Sequence, residues 1–66
     1  MDSSWSDEDV LSELGRRLRR HRLNRNLTQV EVATLAGVSV GSVASVEAGS
    51  NTSMGTVVRL MRALGL

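Results

Sequence analysis

The stretch Thr28-Gln29-Val30-Glu31-Val32-Ala33-Thr34-Leu35-Ala36-Gly37-Val38-Ser39-Val40-Gly41-Ser42-Val43-Ala44-Ser45-Val46-Glu47-Ala48-Gly49 decides how this chain folds. It opens on a capping box, with Thr28 set to accept from the third helical residue and Glu31 to reach back. The helix so predicted begins at Gln29 and ends at Gly37, where the left-handed conformation is open to glycine. Ser39 is the next cap and starts a helix from Val40 to Ala48, which Gly49 closes. At roughly 100° per residue, the first helix turns Val32, Ala33, Leu35 and Ala36 inward and leaves Val30, Glu31 and Thr34 outside. The second turns Val43 and Val46 inward, with Gly41, Ser42, Ala44 and Ser45 opposite and Val40 at the margin.

Outward from this stretch the same signals recur. After the polar loop Ser50-Asn51-Thr52, Ser53 caps a helix from Met54 to Leu64 that Gly65 closes. Its periodicity predicts burial of Met54, Val57, Val58, Leu60, Met61 and Leu64, with Thr56, Arg59 and Arg62 in water. Towards the N-terminus, Ser6 caps a long helix whose first turn, Asp7-Glu8-Asp9, suits the positive end of the dipole. Trp5 and Val10 fall at the two staple positions, which gives the only aromatic residue a structural task. The helix should reach about Arg25 and stop at Asn26, burying Leu11, Leu14 and Leu18. No run alternates as an amphipathic strand does, so the chain reads as all-α.

Sixty-six residues allow one domain, and a chain this short hides only about 60% of its unfolded surface. An acidic arm over 1–6 and a single domain over 7–66 are expected. With no cysteine there is neither a disulfide nor a thiolate metal site, which favours a reducing compartment such as the cytoplasm. Apolar runs stay far below the roughly 20 residues of a membrane span. The acidic start Met1-Asp2-Ser3-Ser4 is the reverse of a signal peptide. One histidine and no cysteine give no converging nucleophile, base and stabiliser, so neither catalysis nor a cofactor is expected.

The net charge of +1 conceals segregation. Asp2, Asp7, Glu8, Asp9 and Glu13 precede Arg16, Arg17, Arg19, Arg20, Arg22 and Arg25, and a local basic block can dock on phosphate. Arg16, Arg17, Arg19 and Arg20 lie away from the leucine stripe and read as solvated. Arg22 and Arg25 continue or flank it. A partly buried arginine needs a partner, and Glu47, beside Val43 and Val46, is the candidate for an Arg22–Glu47 ion pair. His21 at the stripe's margin reads as a packing or surface residue.

Two short helices joined by three residues, the first ending on glycine, have helix-turn-helix geometry. Residues 29–48 resemble the helix-turn-helix unit of the lambda-repressor/Cro-like (XRE) family, with Val32, Ala33, Ala36, Gly37, Val38, Val43 and Val46 at its apolar, small and turn positions. Leu14-Gly15-Arg16-Arg17-Leu18, Asn26-Leu27-Thr28-Gln29 and Leu60-Met61-Arg62-Ala63-Leu64-Gly65 are also similar to that family. The resemblance implies a compact four-helix lambda-repressor-like domain, or a five-helix one cut short after Leu66. It further implies a dimeric transcriptional regulator, a repressor on a palindromic operator in double-stranded DNA. The third helix would enter the major groove, with Val40, Gly41, Ser42, Ala44 and Ser45 at base edges. Arg22, Arg25, Thr28, Gln29, Asn51 and Thr52 would meet the backbone, Gln29 with help from its helix dipole.

This reading surface departs from better-known members, because it holds no Arg, Gln or Asn for bidentate base contacts. Shape, water and dimer spacing then carry more of the specificity. Gly49-Ser50-Asn51-Thr52-Ser53 and the following Met54 to Leu60 also resemble HipB-like antitoxins. That resemblance implies a toxin protein of a HipA–HipB-like pair as a second partner.

Overall fold

The computed structural model describes residues 1–66, and they form four helices and no strand. These are α1 (Asp7–Asn24), α2 (Gln29–Ala36), α3 (Val40–Glu47) and α4 (Met54–Ala63). Each starts at a hydroxyl cap, Ser6, Thr28, Ser39 or Ser53, whose side chain accepts from the backbone N–H three residues on. Ser6–Asp9 and Thr28–Glu31 close full capping boxes. Each helix ends with a bond from an N–H just past the cap back to the last turn, as in Leu27 to the Arg22 carbonyl at 3.2 Å. Asn26 adopts a left-handed φ of 56° to make that turn at the end of α1. Gly37 does the same at 71° between α2 and α3.

α1 packs on α3, α2 packs on both α3 and α4, and α3 touches α4 more lightly. The core where they meet is aliphatic: Leu18, Val32, Ala33, Val43, Val46, Val57, Leu60 and Leu64. Leu14, Leu27, Ala36, Val38 and Ala63 pack around it. No buried side-chain polar atom lacks a hydrogen-bond partner. No single helix is long and apolar enough to cross a membrane.

Several side chains lie outside the expected core. Leu35 is 63% exposed, because α3 and α4 cover only the Val32, Ala33 and Ala36 side of α2. On α4 the buried set narrows to Val57, Leu60 and Leu64. Met54, Val58 and Met61 sit together further round the helix, where no element packs, and are exposed. Their apolar periodicity is wider than the face that α2 and α3 can cover. Val10 is exposed too, and Trp5 lines a groove with Asp9, Ser12 and Arg16.

Candidate nucleic-acid interface

α2 and α3 are joined by Gly37, Val38 and Ser39 and meet with a bend of 112°. That angle lies within the 90–120° range of helix-turn-helix pairs. Val38 packs into the core and its N–H bonds to the Ala33 carbonyl at 3.0 Å, so the turn is fixed from both helices. The third helix is held by Val43 and Val46, and this orients its remaining faces. Val40, Gly41, Ala44 and Ser45 are exposed, whereas Ser42 is half-buried and its hydroxyl shares a hydrogen bond with that of Ser39 at 2.9 Å. The exposed surface is small in side-chain volume and carries no charge.

A known helix-turn-helix domain family matches residues 13–66, nearly the whole chain. The chain belongs to this family. It is an XRE-like helix-turn-helix DNA-binding domain. No curated protein matches the chain.

In this helix-turn-helix domain the polar residues around α2 converge on one carboxylate. Arg22 Nε donates to Glu47 Oε2 at 2.6 Å and Arg22 Nη2 to Glu47 Oε1 at 2.9 Å. The third guanidinium nitrogen, Nη1, donates to the Leu27 carbonyl at 2.8 Å. Gln29 Nε2 donates to Glu47 Oε1 at 3.2 Å, which ties the start of α2 to the end of α3. The side chains of Arg22 and Glu47 are 8% and 7% exposed. Burial pushes the Glu47 carboxyl up, but bonds from Arg22 and Gln29, with the charges of Arg22 and Arg19, outweigh it and hold the group below its ordinary value. The bonds to Glu47 likewise hold Arg22 in its charged form.

The ion pair expected between Arg22 and Glu47 is present. Each of the three guanidinium nitrogens donates one bond inside the domain, so Arg22 positions Glu47 and, through it, Gln29. Arg25 is drawn elsewhere, its guanidinium lying against Gly65 at the C-terminal end of α4, where a cation suits the dipole. Thr28 and Gln29 stand at the α2 N-terminus. The Thr28 hydroxyl accepts from the Glu31 N–H at 3.1 Å, and the first two N–H groups of the helix, those of Gln29 and Val30, have no intrahelical acceptor. Asn51 is exposed and Thr52 half-buried in the loop before α4; Asn51 lines a shallow groove with Asp7, Val10 and Leu11, beside an acidic side chain. The structure therefore gathers Thr28, Gln29 and Glu47, and leaves Asn51 and Arg25 apart from them.

Gly15 is the contributor that periodicity alone passes over. A methyl group there would lie 2.4 Å from the Val46 carbonyl oxygen and 2.8 Å from that of Glu47. The backbone of α1 thus rests directly on the last turn of α3. A glycine inside a helix, in line with Leu11, Leu18 and Arg22, was the available signal, since glycine there costs about 1 kcal/mol against alanine unless close packing needs it.

Proposed function

We propose that this domain is a sequence-specific transcriptional regulator, acting in the cytoplasm as a homodimeric repressor on a palindromic operator. The observation that carries the reading is the 112° pairing of α2 with α3, which leaves Val40, Gly41, Ala44 and Ser45 exposed on α3. Ser42 completes the reading set through its hydroxyl. Thr28 and Gln29 would fix the register by bonding a phosphate at the α2 N-terminus. With hydroxyls and small apolar groups alone, the base readout depends on close fit and groove shape more than on bidentate bonds. Two protomers would span half-sites about 34 Å apart. The exposed stripe of Met54, Val58 and Met61 on α4 supports a dimer contact.

The same apolar stripe also fits the second reading, an antitoxin that binds a toxin protein while repressing its own operon. Its distinguishing sign is a stable complex with a kinase-type protein.

The test is a titration on duplex DNA over a salt series. Roughly six phosphate contacts in a dimer predict a log–log slope near −5. Gln29→Ala should weaken all sequences alike, whereas Ser45→Ala should change the preference among them. No affinity for duplex DNA even at low salt would overturn the reading.

A further inference from the structure

Residues 26–58, which hold the whole helix-turn-helix and the loop after it, contain no lysine or arginine and two glutamates. The binding reading above therefore lacks its own source of positive charge, although neutralised phosphates supply most of the sequence-independent affinity of DNA-binding proteins. Arg22 is enclosed with Glu47, and Arg25 lies on the end of α4. Arg59 and Arg62 line a groove with Leu35, Ala36 and Ala63, at the end of α2 away from Gln29. Arg16 and Arg17 are both bonded to Glu13.

Arg19 and Arg20 remain, and their angular positions on α1 distinguish them. Arg19 lies four residues after Gly15, which abuts the Glu47 backbone, and three before Arg22, which grips its carboxylate. Spacings of three and four share a helix face, so Arg19 is on the flank of α1 beside the end of α3. Arg20 is turned about 100° further away. Arg19 is exposed and has no ion-pair partner within 4 Å. The shallow groove that it lines with Arg16, Arg20, Leu23 and Asn24 lies on its other side, turned away from α3.

We propose that Arg19 binds a backbone phosphate next to the one held at Gln29, so that α1 delivers the charge which the helix-turn-helix unit lacks. Glu47 would otherwise repel that phosphate, and Arg22 and Arg19 together offset its charge from two sides. The contact is independent of base sequence and widens the footprint along the strand.

This inference rests on the DNA-binding reading, and one experiment separates their failures. The whole chain is titrated on duplex DNA from 50 to 200 mM salt as wild type, Arg19→Gln, Arg19→Lys and Arg20→Gln. For Arg19→Gln the log–log slope should become shallower by about 0.9 per bound protomer. Across that four-fold salt range this amounts to about 3.5-fold less loss of affinity per protomer than in wild type. The loss should be equal on all sequences, Arg19→Lys should restore the slope, and Arg20→Gln should leave it nearly unchanged. Thermal midpoints like that of wild type exclude a folding effect. A wild type that binds with a slope unmoved by Arg19→Gln, or moved as much by Arg20→Gln, overturns the proposal. A wild type that does not bind DNA overturns the reading beneath it.

Discussion

Replacing Glu47 by alanine strips a buried guanidinium of two of its three anchored nitrogens. Arg22 keeps only the bond from Nη1 to the Leu27 carbonyl, and Gln29 loses the acceptor that ties α2 to α3. Arg22 is 7% exposed, so water can replace little of what is lost. Breaking a buried pair from one side costs about 3–5 kcal/mol, chiefly the penalty on the charge left behind. A 66-residue domain at 0.05–0.15 kcal/mol per residue has roughly 3–10 kcal/mol in total. Glu47→Ala should therefore remove a third or more of the stability, measured by urea unfolding followed through helical circular dichroism at pH 7. The double replacement Arg22→Met with Glu47→Leu should recover most of the loss, because two apolar groups strand no charge. A loss below about 1 kcal/mol for Glu47→Ala, typical of solvent-exposed pairs, would refute the claim that the pair is desolvated.

The same carboxylate gives the pH dependence a sign. Its folded pKa lies below the ordinary 4.5, so its contribution is complete above that value and is lost as pH falls through the folded one. Wild-type stability should hold from neutrality to about pH 5 and fall in more acidic solution. Glu47→Gln should flatten that part of the fall which Glu47 causes, and an unchanged acid limb would argue against it.

Gly15→Ala forces a methyl group onto two carbonyl oxygens of α3, and neither backbone oxygen can yield without moving the helix. The expected loss is about 1–3 kcal/mol despite alanine's better helix propensity, seen as a lower thermal midpoint. Gly37→Ala has open space around it, so only its φ of 71° opposes the change; a cost of about 1–2 kcal/mol is expected, and Gly37→Asn should cost less. Leu64→Ala at the fully buried end of α4 should cost about 2–5 kcal/mol, and a value near zero would show that α4 is frayed there.

The caps made most of this fold legible in its sequence, because a hydroxyl three residues before a bonded N–H is a local signal. Ser6, Thr28, Ser39 and Ser53 mark all four helix starts, and Asn26, Gly37, Gly49 and Gly65 mark the ends within two residues. The partnership of Arg22 with Glu47 could be read from two helical wheels, since each residue continues an apolar stripe. The limits of the core could not. Whether Leu35, Met54, Val58 and Met61 are covered depends on which neighbouring helix reaches them, and periodicity describes only one helix at a time. The third bond of Arg22, to the Leu27 carbonyl, arises from how the chain leaves α1, and no side-chain pattern encodes that.

Glu47 joins stability to the proposed DNA contact, and its neighbours divide the two. Arg22 and Gly15 act on Glu47 from within the fold, so their replacement should lower stability first and binding only as a consequence. Arg19 faces solvent on the same flank, and its replacement should touch the salt dependence of binding and leave the fold intact. Gln29 belongs to both sets, because its side chain bonds Glu47 while its backbone N–H points out of the α2 N-terminus. A polar network with one carboxylate at its centre thus ties α2 to α3 and would also set the charge around the phosphate proposed to bind at Gln29. That coupling gives an acidic residue a structural task beside a surface that would meet DNA. Without Glu47, Arg22 could turn outward and add a charge to the interface, but α2 would lose the tie that holds its N-terminus against α3.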